Sequence, residues 1–138
     1  MSKLAEQLAA MAYLARQQLA AITDDDKRLR AAALYPDWAA GRHSPGDIYA
    51  ADGQVWACYA AYDNAVYPDI RPGTAAWYTF NRPLHGRTPQ TARPFVAPTH
   101  AEDIYRAGEY MTLDGELYAC VRDTSFGPAE DPDAWEAA

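Results

Sequence analysis

Basic residues and cysteines are scarce in this chain of 138 residues, and long apolar runs are absent. There are 12 Lys and Arg against 19 Asp and Glu, which leaves a formal net charge of -7. This balance argues against nucleic acid and an anionic membrane as partners, because both are bound through basic side chains. No apolar run reaches the roughly 20 residues that cross a bilayer. Two cysteines, Cys58 and Cys120, are too few for a disulfide scaffold, and we expect both to be buried free thiols.

Targeting, catalytic and metal motifs are lacking as well. Glu6, Gln7 and Arg16 interrupt any signal-peptide pattern, so we expect the protein to be made in the cytoplasm without a signal peptide. The three serines lie outside any nucleophile elbow, the three histidines are far apart, and the glycines occur singly at turns. The acidic run Asp24–Asp26 is explained by helix capping. The sequence therefore predicts no enzyme activity, no catalytic residue, no metal and no cofactor.

The composition changes sharply near residue 34. All 8 Gly and all 10 Pro lie beyond it, and Tyr13 is the only aromatic residue before Tyr35. Residues 1–34 are thus predicted to be helical, with a second helix capped by Thr23 and ending around Leu34. In the first helix, expected to run to about Ile22, apolar residues follow a heptad-like spacing at Leu4, Leu8, Met11, Ala15 and Ile22. This seam must pack either on the chain's own body or against further copies in a homo-oligomer.

Two segments beyond residue 34 resemble each other at an offset of 62 residues, namely 45–58 and 107–120. Each contains an Asp-Gly pair, Asp52-Gly53 or Asp114-Gly115, which predicts a two-residue hairpin turn. Each then continues through a Pro-containing loop to Trp77 or Trp135. The predicted fold class is α+β, with N-terminal helices followed by two small three-stranded antiparallel β modules joined by a Pro-rich linker. The predicted boundaries are 1–34 for the helical segment, 35–80 and 98–138 for the modules, and 81–97 for the linker.

Aromatic residues on the loops after the two cysteines are the candidate binding residues. A flat ring beside polar side chains suits a sugar, because the ring covers C–H groups while the polar groups reach hydroxyls. The alternative is that these rings pack against the prolines. The predicted carbohydrate-binding residues are Tyr59, Tyr62, Asp63, Asn64 and Tyr67 in the first copy and Phe126 in the second.

The pattern Gly46-Asp47, Asp52-Gly53 and Trp56-Ala57-Cys58, followed by Trp77, resembles the chitin-binding type-3 module of carbohydrate-binding families 5 and 12. The second copy fits this pattern better, because Tyr105 stands at the leading Tyr position that His43 fills in the first. The larger arrangement, with 34–38 reading Leu-Tyr-Pro-Asp-Trp and Pro94-Phe95 between the copies, is similar to phage and prophage tail-associated proteins. The resemblance implies small three-stranded sheets preceded by helices. It also implies polysaccharide binding at a bacterial surface, other phage tail proteins as partners, and association with the virion.

Two functional hypotheses follow from these observations. The first is a non-catalytic protein that binds chitin or a cell-surface polysaccharide, associated with a phage or prophage tail. The second is a structural tail or fibre assembly protein that uses its β modules for protein–protein contacts. A third and more remote hypothesis is that the chain is the accessory part of a glycoside hydrolase. The chain itself has no room for the catalytic domain.

Overall fold

Two helices begin the chain in the computed structural model, which describes residues 2–138. Helix α1 spans Lys3–Ala21, and the side chain of Ser2 caps it by accepting a hydrogen bond from the backbone N–H of Ala5. Helix α2 spans Asp25–Arg30 and is capped by Asp24, one residue after the predicted Thr23. Aspartate caps as well as threonine does and adds a negative charge at the positive helix end, which favours this register. Helix α2 also ends earlier than predicted, and a 3-10 turn at Ala32–Leu34 leads to Pro36.

The first repeat forms a three-stranded sheet and a small two-stranded one. Strands β2 (Ile48–Ala51), β3 (Gln54–Cys58) and β5 (Asn81–Pro83) pair antiparallel in that order. Strands β1 (Arg42–His43) and β4 (Tyr62–Asp63) pair antiparallel beside them.

The second repeat forms a four-stranded sheet in the order β6-β7-β8-β9. Its strands are β6 (Arg93–Pro94), β7 (Tyr110–Leu113), β8 (Glu116–Cys120) and β9 (Trp135–Ala137). Strand β6 runs parallel to β7, and the other pairs are antiparallel. The fold is therefore α+β.

Both predicted hairpin turns are present. Asp52 and Gly53 adopt φ values of 54° and 76°, and Asp114 and Gly115 adopt 53° and 81°. Positive φ at both central residues is the type I′ geometry, whose twist matches that of the flanking strands. Asp and Gly tolerate these φ values better than branched residues do. Because a two-residue turn determines which residues pair across a hairpin, the local sequence fixes the register of β2 with β3 and of β7 with β8.

The segment 81–97, predicted to be a linker, contributes strands to both sheets. Asn81–Pro83 pairs with β3, and Arg93–Pro94 pairs with β7 and makes the second sheet four-stranded. Proline is compatible with such edge positions, because it needs no donor on the solvent side while its carbonyl can still accept. The first module thus extends beyond residue 80, and its third strand is β5 rather than a segment ending at Trp77.

Helix α2 is bound to this same connecting segment. The Asp25 carboxylate receives two hydrogen bonds from the Arg82 guanidinium, at 2.7 and 3.1 Å. The buried Asp26 carboxylate accepts from the Arg87 backbone N–H at 2.7 Å and from the Thr91 hydroxyl at 2.6 Å. Capping and these contacts together account for the acidic triplet.

Helix α1 is not packed in the same way. None of its residues is buried, and Leu4, Leu8 and Met11 are largely exposed. Its seam is divided: Leu4, Leu8 and Met11 are exposed, whereas Ala15 and Ile22 are half-buried near the body of the chain. The N-terminal part of the seam is therefore free within one copy of the chain.

The core consists of three clusters of buried apolar residues, two of them belonging to one repeat each. Cys58 and Cys120 are free and buried, as predicted, and occupy equivalent places in the two repeat clusters. Their thiols donate to the carbonyls of Ala60 and Arg122 at 3.1 and 3.0 Å. The first cluster contains Tyr49, Trp56, Cys58, Tyr62 and Ile70; the second contains Tyr105, Met111, Cys120, Ala134 and Trp135; the third joins α2 to the first sheet through Leu29, Val55, Ala57 and Leu84.

Candidate functional site

Tyr62, a predicted sugar-binding ring, is part of the core. Only 5% of its surface is exposed, and the rings of His43 and Phe80 stack on it at centroid distances of 4.3 and 5.0 Å. Its hydroxyl accepts from the Trp38 indole N–H at 3.0 Å and lies 3.0 Å from the Tyr49 hydroxyl. Tyr62 therefore has no ring face to offer a ligand, which corrects the expectation for this residue.

Tyr62 has an equivalent position in the second repeat. His43 pairs with Tyr62 across β1 and β4, and Tyr105 pairs with Thr124 at the same offset of 62 residues. Thr124 is buried like Tyr62. The two copies therefore share an inward position here, but a threonine aligned with a tyrosine does not predict burial from sequence.

Asn64 and Asp63 shape the loop and contact both its backbone and residues 41–43 beside it. Asn64 is buried, and its amide nitrogen donates to the carbonyls of Tyr67 and Ile70 at 3.0 and 2.7 Å. The Asp63 carboxylate accepts from the Ala65 backbone N–H at 2.9 Å and pairs with Arg42 at 3.3 Å. The side chain of Asn64 is thus occupied by the loop, and the carboxylate of Asp63 is half-buried and paired.

Tyr59 and Tyr67 are exposed, and the structure adds a third ring, Tyr78, which the sequence reasoning missed. All three are linked to the turn that starts at Trp77 and ends at the half-buried Phe80. The Phe80 carbonyl accepts from the Tyr59 N–H at 2.9 Å, and the Tyr67 ring lies 5.7 Å from the Phe80 ring. The Tyr59 hydroxyl donates to the Tyr78 carbonyl. We call Tyr59, Tyr67 and Tyr78 the tyrosine surface.

Tyr78 was not among the predicted binding residues because it lies beyond the loop that follows Cys58. It belongs to the 3-10 turn Trp77–Thr79, and its ring meets the Trp77 ring edge-on at 5.8 Å. The adjacent aromatic pair Trp77-Tyr78 is the sequence feature that could have indicated an exposed ring. The Trp77 ring packs against Trp56, and the next side chain along the chain, that of Tyr78, must then point in another direction.

A cleft of about 400 Å³ adjoins the tyrosine surface and is formed by both repeats. Tyr59 and Arg82 line it from the first, and His100 and Glu102 from the second. The Tyr59 hydroxyl lies 3.2 Å from His100 Nε2. Partial burial, together with the carboxylates of Asp103 and Glu102, raises the pKa of Tyr59, so its hydroxyl stays protonated at neutral pH. The cleft therefore offers one ring together with hydrogen-bond donors and acceptors of both charge signs.

Phe126 lies on a separate groove of about 340 Å³ in the second repeat. Its ring is exposed, while its backbone is fixed on both sides: its N–H donates to the Thr124 hydroxyl at 3.1 Å and its carbonyl accepts from the Trp135 indole at 2.9 Å. Phe95 and Leu113 form the apolar wall of this groove. The Phe126 ring is thus exposed to a ligand, but it does not belong to the tyrosine surface.

Metal-binding and membrane-spanning features were also sought. Within residues 2–138, no group of three or more His, Cys, Asp or Glu is placed to hold a metal ion. Over the same range, no helix combines the length and apolar character needed to cross a bilayer.

No protein-family model matches the sequence, and no curated protein matches it significantly.

Proposed function

We propose that this protein is a non-catalytic carbohydrate-binding protein that holds a chitin-like or cell-surface polysaccharide on the tyrosine surface. The observation that carries the proposal is the exposure of three tyrosine rings linked to the turn from Trp77 to Phe80, one of which lines a polar cleft. Tyr59, Tyr67 and Tyr78 each expose more than two fifths of their surface. Rings held by a packed core stay exposed at little entropic cost, which suits them to cover the apolar faces of sugars.

The expected affinity of this surface is low. One aromatic contact contributes about 1 kcal/mol beyond area burial. Three such contacts contribute about 3 kcal/mol, which is less than the roughly 4 kcal/mol of a millimolar dissociation constant. A single copy would therefore hold a polysaccharide weakly, and strong retention on a surface requires several linked copies.

Association with a phage or prophage tail is part of the same proposal. It is supported by the similarity of 34–38 and Pro94-Phe95, in their order along the chain, to tail-associated proteins. A weak glycan contact repeated over many copies is what a particle needs to stay on a cell surface while it still moves along it.

The test is retention of the purified chain on insoluble chitin and on bacterial cell-wall material. We expect Tyr59→Ala/Tyr67→Ala to lose most of the bound fraction, and Phe126→Ala to lose less. The matched control is Val66→Ala, which removes an exposed apolar side chain of the same loop without removing a ring. Equal retention by the double variant and the control would contradict the proposal.

A structural assembly role is the second candidate, and the observation favouring it is the exposed helix α1. A helix of 19 residues without a single buried side chain is a surface for other chains. If assembly is the function, substitutions on the tyrosine surface change particle assembly or oligomer size and leave glycan retention at background. Light scattering on the same samples therefore separates the two roles.

A further inference from the structure

We infer that helix α1 is a self-association element: copies of this chain assemble through a parallel helical bundle along Leu4, Leu8, Met11, Ala15, Gln18 and Ile22. This inference is independent of the glycan proposal, because it concerns a different surface and needs no ligand.

The first argument is the exposure of the helix. Half of the large hydrophobic residues exposed in the structure lie in the first 34 residues, namely Leu4, Leu8, Met11, Tyr13, Leu14 and Leu34. An isolated helix of this length is marginal in water, because packing supplies most helical stability in proteins. No residue of α1 is buried within its own chain and residues 3–14 are all exposed, so we expect the packing that stabilises this part of the helix to come from another chain.

The second argument concerns the period of the apolar positions. Steps of four and three residues connect Leu4, Leu8, Met11, Ala15, Gln18 and Ile22, which is the repeat that keeps a seam facing a partner helix. A groove of about 570 Å³ continues from this seam, between Ala12, Ala15 and Leu19 of α1 and Leu34 to Pro36 of the body. A second helix lying on the seam would also cover this groove and the exposed Leu34.

The third argument identifies the occupant as another copy. Gln18 is the one polar residue of the seam, and a glutamine amide both donates and accepts hydrogen bonds. In a parallel bundle of identical helices the Gln18 side chains meet at one level and bond to each other, as single polar residues do in coiled coils. In a fully overlapped antiparallel pair Gln18 would face Leu8, and in an apolar groove of another protein its amide would lose its partners. The seam therefore favours identical helices in parallel.

Charge agrees with this arrangement. The only charged residues of α1 are Lys3, Glu6 and Arg16, and none occupies a seam position. These three give α1 a net charge of +1, so the rest of the chain carries a net charge of -8. Copies can therefore approach along α1 without bringing like charges into contact.

The experiment is sedimentation equilibrium of the full chain over a range of concentrations, together with ellipticity at 222 nm. We expect a mass that is a whole multiple of 15.2 kDa and a helical signal that falls on dilution. Leu8→Glu/Met11→Glu should reduce the mass to that of one chain. Ala9→Glu/Ala20→Glu is the matched control, since it adds the same charge to the opposite side of α1 and should leave the oligomer intact. All four tryptophans lie at Trp38 or later, so their fluorescence reports whether the body of each variant is folded.

Orientation is tested by Leu4→Cys under mild oxidation. Parallel helices place the new thiols at one level and give disulfide-linked pairs, whereas Cys58 and Cys120 are buried and the parent chain should give none. A parent chain that stays monomeric at every concentration would overturn the inference in favour of a different protein on α1. If Leu8→Glu/Met11→Glu remained oligomeric, the seam would not be the interface. If the Leu4→Cys variant formed an oligomer without crosslinked pairs, the helices would not be parallel.

Discussion

Tyr62 and Tyr67 lie in the same loop and have opposite roles. Tyr62 is enclosed by His43, Phe80 and the Trp38 indole, while Tyr67 has half of its surface in solvent. We expect Tyr62→Ala to lower the free energy of unfolding by about 3–5 kcal/mol, as other large aromatic truncations do. Tyr67→Ala should change it by less than about 0.5 kcal/mol. Urea unfolding followed by tryptophan fluorescence measures both, and similar losses for the two variants would contradict the assignment of Tyr62 to the core. Only Tyr67 is therefore suitable for testing glycan binding.

The two thiols give a second prediction at this scale. Burial raises the pKa of the Cys120 thiol to about 11 and raises the pKa of Cys58 as well. A thiol in the unfolded chain has a pKa of about 8.5. The raised pKa of Cys120 therefore stabilises the fold fully below that pH, and this stabilisation is lost as the pH rises through about 11. We expect no alkylation by iodoacetamide at pH 8 in the native protein and complete alkylation in urea. Rapid alkylation of the native chain would show that the thiols are accessible.

These residues also show how far the sequence could predict the site. Exposure of Tyr59, Tyr67 and Phe126 agrees with their place on loops, and the burial of both cysteines followed from their equivalent positions in the repeat. The burial of Tyr62 and Asn64 depends on partners distant in sequence, His43 and Gly41, which no local pattern reveals.

At the scale of elements, the docking of α2 depends on Asp26. Burial raises the pKa of this carboxyl, but hydrogen bonds from the Thr91 hydroxyl and the Arg87 N–H, with Arg30 nearby, outweigh it and lower the pKa below its usual range. A lowered pKa contributes stability that is present above the unfolded value of about 3.9 and is lost as the pH falls through the folded value. The attachment of α2 should accordingly weaken below about pH 4.

Substituting Asp26 tests this attachment. Asp26→Ala removes the acceptor of the Arg87 N–H and the nearer acceptor of the buried Thr91 hydroxyl, at a total cost of about 1–3 kcal/mol. We expect a lower urea midpoint at pH 7 and a smaller difference from the parent at pH 3. Asp69→Ala, which removes an exposed carboxylate, is the control. A constant difference between parent and Asp26→Ala at both pH values would show that ionisation of Asp26 is not responsible.

The hairpins were the most predictable elements, and the edge strands the least. Asp52-Gly53 and Asp114-Gly115 specify their turns locally, through positive φ at both positions. Strands β5 and β6 have no local pattern of alternation, and their prolines favour an extended linker instead. They are strands because β3 and β7 present unpaired edges, which is a property of the folded sheet.

At the scale of the whole molecule, the connecting segment joins the two repeats into one structure. Its first residues complete one sheet and its last residues begin the other, while α2 binds the part between them. In the middle, the His85 ring stacks on Tyr105 at 3.8 Å, and its Nδ1 lies 3.3 Å from the Glu109 carboxylate. The Gly86 carbonyl accepts from the Tyr110 N–H at 2.9 Å. Neither repeat can lose its sheet without disturbing a strand that is covalently continuous with the other sheet.

We therefore expect a single cooperative unfolding transition, to which Gly86 is critical. A Cβ at Gly86 would lie 2.3 Å from the Thr91 carbonyl oxygen, a backbone atom that cannot move aside without disturbing the α2 attachment. Gly86→Ala should cost on the order of 3 kcal/mol, in the upper range of single substitutions that overpack an interior. Gly115→Ala is the matched control. Its Cβ would meet nothing within 4 Å, so the free energy of unfolding should fall only by the backbone strain of φ 81°, about 1 kcal/mol. Calorimetry measures both, and the calorimetric enthalpy should equal the van't Hoff enthalpy in the parent and in the control. Two separate transitions in the parent, only one of them shifted by Gly86→Ala, would mean that the repeats unfold independently and that the segment is a linker after all.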